Sequence, residues 1–219
     1  MTAKPLVAVV DYGAGNMVSI EQALTAVGSD VRIADGPADL HGIDALVVPG
    51  VGAAEPAMAR LRGQDLVDPI KAWIAADRAF LGICLGLQLL FDASDEDGAT
   101  TLGVLAGRTT RLVDAPTLPH IGWNQVERRR IHPLFDGITD AADFYFVHSY
   151  AGAPQDDFAV LARTTHGSSF VSAIARDNVL GVQFHPERSG ADGLRLLGNV
   201  VGLVRSGRWA NRPAASVPA

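Results

Sequence analysis

With 219 residues, 48% of them hydrophobic and 19% charged, the chain can build one sizeable core and is too apolar to stay disordered. Its net charge of −6 argues against nucleic acid as the main partner, and its single cysteine excludes an internal disulfide. The first apolar run is too short for a signal segment or a membrane span, and no other stretch reaches spanning length. A cytoplasmic protein with no membrane partner is therefore expected.

Leu6 to Val10 is a continuous apolar run, which predicts a strand buried on both faces. Asp11-Tyr12-Gly13-Ala14-Gly15-Asn16 follows as a glycine-rich loop. A helix is expected from about Met17 to Val27, because Met17, Ile20, Leu24 and Val27 share one face. A strand–glycine loop–helix start raises the question of a dinucleotide site, but Val18 stands where the third glycine is required. No cofactor and no metal are expected.

Val31 to Ala34 and Ala45 to Val48 are the next strands. The second ends in Pro49-Gly50-Val51-Gly52, a loop at a strand's carboxyl end, where open α/β sheets bind ligands. Helices are expected over Ala57 to Arg62 and Leu66 to Ala76, the latter with Leu66, Ile70, Trp73 and Ile74 on one side. Ala79 to Ile83 reads as a short buried strand and Leu87 to Phe91 as the start of a helix.

Between them lies Cys84, flanked by Gly82 and Gly86. Gly-x-Cys-x-Gly on a strand-to-helix turn is the cysteine version of a nucleophile elbow. A lone cysteine is also a common small core residue, so the elbow needs support from the rest of the chain. Asp92 to Gly98 reads as a solvated acidic loop and Arg128-Arg129-Arg130 as a solvated turn.

After Gly103 the pattern changes to short strands: Thr109 to Val113, Trp123 to Arg128, Asp143 to His148, Val160 to Thr164 and Phe170 to Arg176. Asp177-Asn178 joins a hairpin into Val179 to Phe184. Leu194, Leu197, Val201 and Val204 recur at helical spacing, and a flexible tail is expected over 205–219, leaving one domain over 1–204. The fold class is thus α/β: an open, mostly parallel central sheet flanked by helices, with an antiparallel strand-rich second half.

His185-Pro186-Glu187 follows the last strand. Pro186 biases His185 toward an extended backbone, where side chains two apart, roughly 6–7 Å along the chain, face the same side. Glu187 can then orient the His185 ring, which is the logic of a nucleophile–base–orienter triad. His41, His120, His132, His148 and His166 compete as bases, and spacing alone does not exclude them.

Cys84, His185, Glu187 and the Pro49-Gly50-Val51-Gly52 loop together resemble the class I (triad) glutamine amidotransferases over almost the whole chain. Asp11 to Asn16, Pro119-His120-Ile121-Gly122-Trp123-Asn124 and Phe146-Val147-His148-Ser149-Tyr150 look like the glutaminase subunits of imidazole glycerol phosphate synthases within that class. The resemblance implies Cys84 as nucleophile, His185 as acid and base, and Glu187 as its orienter. It implies an oxyanion hole from the Leu85 N–H and the Gly50-Val51-Gly52 loop. Gly52, Gln88, Ser149 and Tyr150 would hold L-glutamine.

Released ammonia would pass to a separate cyclase subunit, a (β/α)₈ barrel, in a heterodimer. Asn16, Ile121, Trp123 and Arg188 would lie at or near that interface, with Ile121 and Arg188 departing from the family's usual Met and Lys. Trp123 has an alternative reading as plain core. A subunit of another synthase, an α/β-hydrolase-type cysteine hydrolase and a non-catalytic module are the rival readings. The second is disfavoured because the acid follows the histidine instead of preceding it.

Overall fold

The computed structural model describes residues 3–209. The chain opens with β1 (Leu6–Val10), α1 (Met17–Ala26), β2 (Asp30–Ala34) and β3 (Ala45–Val48), followed by α2 (Ala54–Gly63) and α3 (Val67–Ala75). β4 (Ala79–Ile83) leads directly into the one-turn helix α4 (Leu85–Gln88). The second half carries β5 (Ala93–Ser94), β6 (Gly107–Arg111), β7 (His120–Arg128), β8 (Ala142–His148), β9 (Tyr150–Pro154), β10 (Val160–His166), β11 (Ser168–Arg176) and β12 (Val179–Val182). The long helix α5 (Gly190–Ser206) closes the fold.

Nine strands form one sheet in the order β2-β1-β3-β4-β12-β11-β10-β7-β8, and β5-β6-β9 form a small second sheet. The strands from β2 to β12 run parallel, and beyond β12 every pairing in the large sheet is antiparallel. The mixed α/β architecture expected from the sequence is the one observed. Alternation along the parallel strands explains its two apolar layers. Val7, Val9, Val47, Leu81 and Ile83 pack in the layer of α1 and α5, while Ala8, Val10, Leu46, Val48 and Phe80 pack in that of α2 and α3. Among the described residues no helix is long and apolar enough to cross a membrane.

Several expectations change in detail. The helix after the elbow starts at Leu85 rather than Leu87 and lasts four residues. β5 falls inside the acidic loop, and β9 was not anticipated because Ala-Gly-Ala-Pro carries no alternation. α5 buries Leu196, Leu197, Val200, Val201 and Leu203, while Leu194 is 40% exposed, so its inner face is rotated from the expected one. The helix also continues past Arg205, and Trp209 is buried with its indole N–H donating to the Asn178 carbonyl at 2.6 Å. The remainder of the expected tail, 210–219, lies outside the described residues.

The chain leaves β1 toward β2 on one side, and β3 pairs on the other, so strand order switches between β1 and β3. Their following loops meet at the carboxyl ends of the strands, the place where such sheets bind ligands. A Cβ on Gly15 would sit 3.7 Å from the Gly50 Cα.

Candidate active site

Cys84 stands at the end of β4 with φ 53° and ψ −109°, in the left-handed half of the map that non-glycine residues avoid. Close packing holds it there. A Cβ on Gly86 would lie 1.7 Å from the Val48 carbonyl oxygen, and one on Gly82 would lie 2.6 Å from that of Gly86. The elbow read from Gly-x-Cys-x-Gly is thus a tight crossing of backbones. Its main-chain N–H is anchored to the Val182 carbonyl of β12 at 2.7 Å.

β12 is the parallel neighbour of β4, and this pairing brings the histidine to the cysteine. The chain leaves β12 through Gln183 and Phe184 into His185, whose N–H bonds the Tyr145 carbonyl of β8 at 2.9 Å. His185 Nδ1 donates to Glu187 Oε1 at 2.8 Å, and both side chains are buried. Nε2 is then the nitrogen left to work, and it has no hydrogen-bond partner among the described residues. Burial alone would lower the imidazole pKa. The charge of Cys84, together with Glu187, outweighs it and pushes the value up to about 10. The ring is therefore held as an imidazolium beside the sulfur.

The competing histidines are occupied elsewhere. His41 is exposed and bonds the Ala38 carbonyl, and His132 accepts from the Leu134 N–H. His120, His148 and His166 gather in an aromatic cluster with Phe146 and Phe170. Among the described residues, His185 with Glu187 is the one imidazole–carboxylate pair.

A cleft of about 210 Å³ opens over Cys84, lined among others by Gly52, Leu85, Gln88, Ser149 and Tyr150, so the expected substrate residues do converge. Two details were left open by the sequence. Gln88 turns its Nε2 inward, donating to the Tyr150 carbonyl at 2.8 Å and to Gln183 Oε1 at 3.1 Å. Its Oε1 is the atom left for a substrate. The oxyanion loop is also turned the other way, since the Leu85 N–H donates to the Gly50 carbonyl at 3.4 Å. In a trans peptide C=O and N–H point apart, so the Val51 N–H faces away from the site.

Three residues were missed. Glu96, in the loop taken as solvated, lines the same cleft as Cys84. Burial, then Asp97, raises its pKa above the ordinary carboxylate value. Gln183, fully buried, approaches Cys84 Sγ with its Nε2 at 3.5 Å. A lone amide inside the apolar run Val179 to Phe184 was the available signal. Tyr145 lies between two of the expected interface residues: Arg188 stacks over its ring at 4.4 Å, and Trp123 meets it edge-on at 6.2 Å.

Trp123 is 57% exposed and Ile121 60%, which removes the core alternative for Trp123. Asn16 caps α1, accepting the Ser19 N–H at 3.2 Å, and α1 packs against the turn at Pro186–Arg188. The four expected interface residues thus stand around one rim next to the cleft.

A strained thiol at a strand end, a buried imidazole–carboxylate pair and a small cleft thus share one end of the sheet. The chain belongs to the class-I glutamine amidotransferases, whose family model matches residues 8–201. Within that class its relatives include imidazole glycerol phosphate synthase subunits HisH. The subunit of Thermosynechococcus vestitus is 47% identical, covering 92% of this chain and 98% of the relative. That of Nitrosococcus oceani is 48% identical, over 88% and 95% of the two chains. The fold is shared with PurLQS of Thermotoga maritima, at a TM-score of 0.71, 19% identity and 91% and 98% coverage.

Proposed function

We propose that this chain hydrolyses L-glutamine to glutamate and ammonia as the glutaminase subunit of an imidazole glycerol phosphate synthase. The observation that carries the chemistry is the buried His185–Glu187 pair set beside Cys84 at the ends of neighbouring strands. The reacting species are the Cys84 thiolate and the His185 imidazolium. Cys84 Sγ attacks the side-chain amide carbon of glutamine, and the negative charge moves to the carbonyl oxygen. The Leu85 N–H receives that oxygen once Gly50 releases it. A turn of the Gly50–Val51 peptide does this and brings in the Val51 N–H as second donor.

The imidazolium gives its Nε2 proton to the departing nitrogen, and ammonia leaves as a γ-glutamyl thioester remains on Cys84. Water then attacks the thioester, losing a proton to the now neutral Nε2. Collapse releases glutamate and restores the thiolate and imidazolium. Glu187 holds the ring so that Nε2 faces the reaction throughout. Glu96 and Gln88 Oε1 suit the α-ammonium of the substrate, and the Ser149-Tyr150 segment with Gly52 suits its α-carboxylate.

Free ammonia would become ammonium in water, which favours direct delivery to a synthase partner. We assign that partner to a (β/α)₈-barrel cyclase subunit docking on the rim of Asn16, Ile121, Trp123 and Arg188. Exposed aromatic and aliphatic side chains beside an arginine suit an interface centre. A cytoplasmic location accords with the free thiol.

The test is glutamate release by the chain alone and with the cyclase bearing its ribonucleotide substrate. A large rise with both, abolished by Cys84→Ala, is expected. Silence with this cyclase but activity with another synthase's partner would reassign the subfamily.

A further inference from the structure

We propose that Asn124, His120 and His148 are positioning residues for glutamine, forming a one-way hydrogen-bond chain from β7 to the Tyr150 carbonyl under the cleft. This rests on the reading of Ser149 and Tyr150 as the segment that holds the amino-acid end of the substrate.

The polarity of the chain follows from its ends. Asn124 Nδ2 donates to the Thr165 carbonyl at 2.9 Å, and its Oδ1 accepts the Gln125 N–H at 2.8 Å, so the amide cannot be reversed. The second Nδ2 hydrogen goes to His120 Nε2 at 3.1 Å, which must accept. His120 then carries its proton on Nδ1, 3.0 Å from His148 Nε2, which must also accept. His148 is left with its proton on Nδ1, and that nitrogen donates to the Tyr150 carbonyl at 2.9 Å. Every ring is neutral and every position is used. A second proton on either ring would set two donors face to face. Burial lowers the pKa of both imidazoles, His120 to about 4 and His148 to about 3.

Packing alone does not call for such a chain. His120 stacks on Phe146 at 4.9 Å, and His148 meets Phe170 at 4.9 Å, so apolar rings would fill the space without polar atoms to satisfy. The chain does one thing an apolar cluster cannot: it fixes the direction of a carbonyl. The Tyr150 oxygen also accepts from Gln88 Nε2 at 2.8 Å, and two donors from different elements hold that peptide in one plane. Tyr150 and Gln88 both line the cleft. At the far end, Asn124 lies on the inward face of β7, whose outward face presents Ile121 and Trp123. The strand assigned to the partner is therefore hydrogen-bonded to the floor of the glutamine pocket.

The test compares alkylation of Cys84 by two reagents in the unmodified chain and in variants. One reagent is a chloroketone analogue of glutamine carrying the α-amino and α-carboxylate groups; the other is iodoacetamide, which lacks them. His148→Phe should slow the analogue about 5- to 10-fold, the size of one lost hydrogen bond, and leave iodoacetamide unchanged. His148→Asn, whose Nδ2 can stand where Nδ1 stood, should recover most of the rate. Asn124→Leu, distant from the sulfur, should shift the analogue alone and in the same direction. Equal slowing of both reagents, or no change with either, would overturn the positioning role. If the unmodified chain shows no preference for the analogue, the glutamine reading itself fails.

Discussion

The carbonyl of Gly50 occupies the N–H of Leu85, so the donor proposed for a substrate oxyanion is already satisfied by the loop opposite it. Gly50 is pressed against Tyr12, where an added Cβ would lie 1.8 Å from the phenol oxygen, and that oxygen is buried with no hydrogen-bond partner among the described residues. Gly50→Ala should therefore block the turn of the loop. Partner-stimulated glutaminase should fall by roughly 10²–10³, the effect of losing an oxyanion donor. Adding Tyr12→Phe should recover part of it. Steady-state kcat decides the matter, and an unimpaired Gly50→Ala enzyme would mean that the loop does not need to move.

Gln183 is the group beneath the sulfur. Gln183→Leu keeps the bulk but removes the donor 3.5 Å from Cys84 Sγ. A hydrogen bond to a charged atom is worth about 1.5–3 kcal/mol, so kcat should drop by about ten- to a hundredfold. Glutamine KM should change far less, because the lost contact is to the enzyme's own thiolate.

Glu96 predicts the opposite split. Glu96→Gln should raise the KM for glutamine about tenfold or more and leave kcat near its original value, since an ammonium–carboxylate contact persists from ground state to transition state. The raised pKa of Glu96 adds a second sign: as pH falls into the carboxylate range, KM should begin to rise earlier than for an ordinary glutamate.

His185 makes stability depend on alkaline pH. Its pKa lies near 10 in the fold, through Cys84 and Glu187 acting against burial, and at 6.5 in the unfolded chain. The folded state binds the proton more tightly. The resulting stabilisation is complete below about pH 6.5 and is lost as pH rises through about 10. Denaturant titrations of the unmodified chain and His185→Asn should show their difference narrowing across that window. A flat difference would count against a charged pair.

Trp209 tests where the fold stops. Its indole is buried and bonded to Asn178, so Trp209→Ala should lower stability by about 3–5 kcal/mol without altering kcat.

The site was legible where chemistry forces rare local patterns. Glycines on both sides of Cys84 betray a backbone crossing, and His185-Pro186-Glu187 fixes its own geometry within three residues. The parallel strands were legible because a run such as Leu6 to Val10 has no polar face to hide. What failed depended on distant partners. Glu96 looks like any acidic loop residue until the cleft is built around it. The direction of the Gly50 carbonyl depends on Leu85, which no local pattern records. The place where the tail begins was not legible from composition, because Trp209 finds its pocket beside Asn178 only after the sheet is complete. The outward face of Tyr145 was readable from alternation with Phe144 and Phe146, but not what it would touch.

The strand order carries a consequence for how the molecule is made. β4 pairs on one side with β3, an early neighbour, and on the other with β12, which leaves the ribosome about a hundred residues later. Until β12 arrives, β4 presents an open sheet edge, a template for pairing with another chain. The same arrival that closes this edge delivers His185 and Glu187 to the waiting thiol. A nascent chain therefore carries its cysteine through about a hundred residues of synthesis without the means to use it. Its hydrolytic power and its protection from aggregation appear in one event.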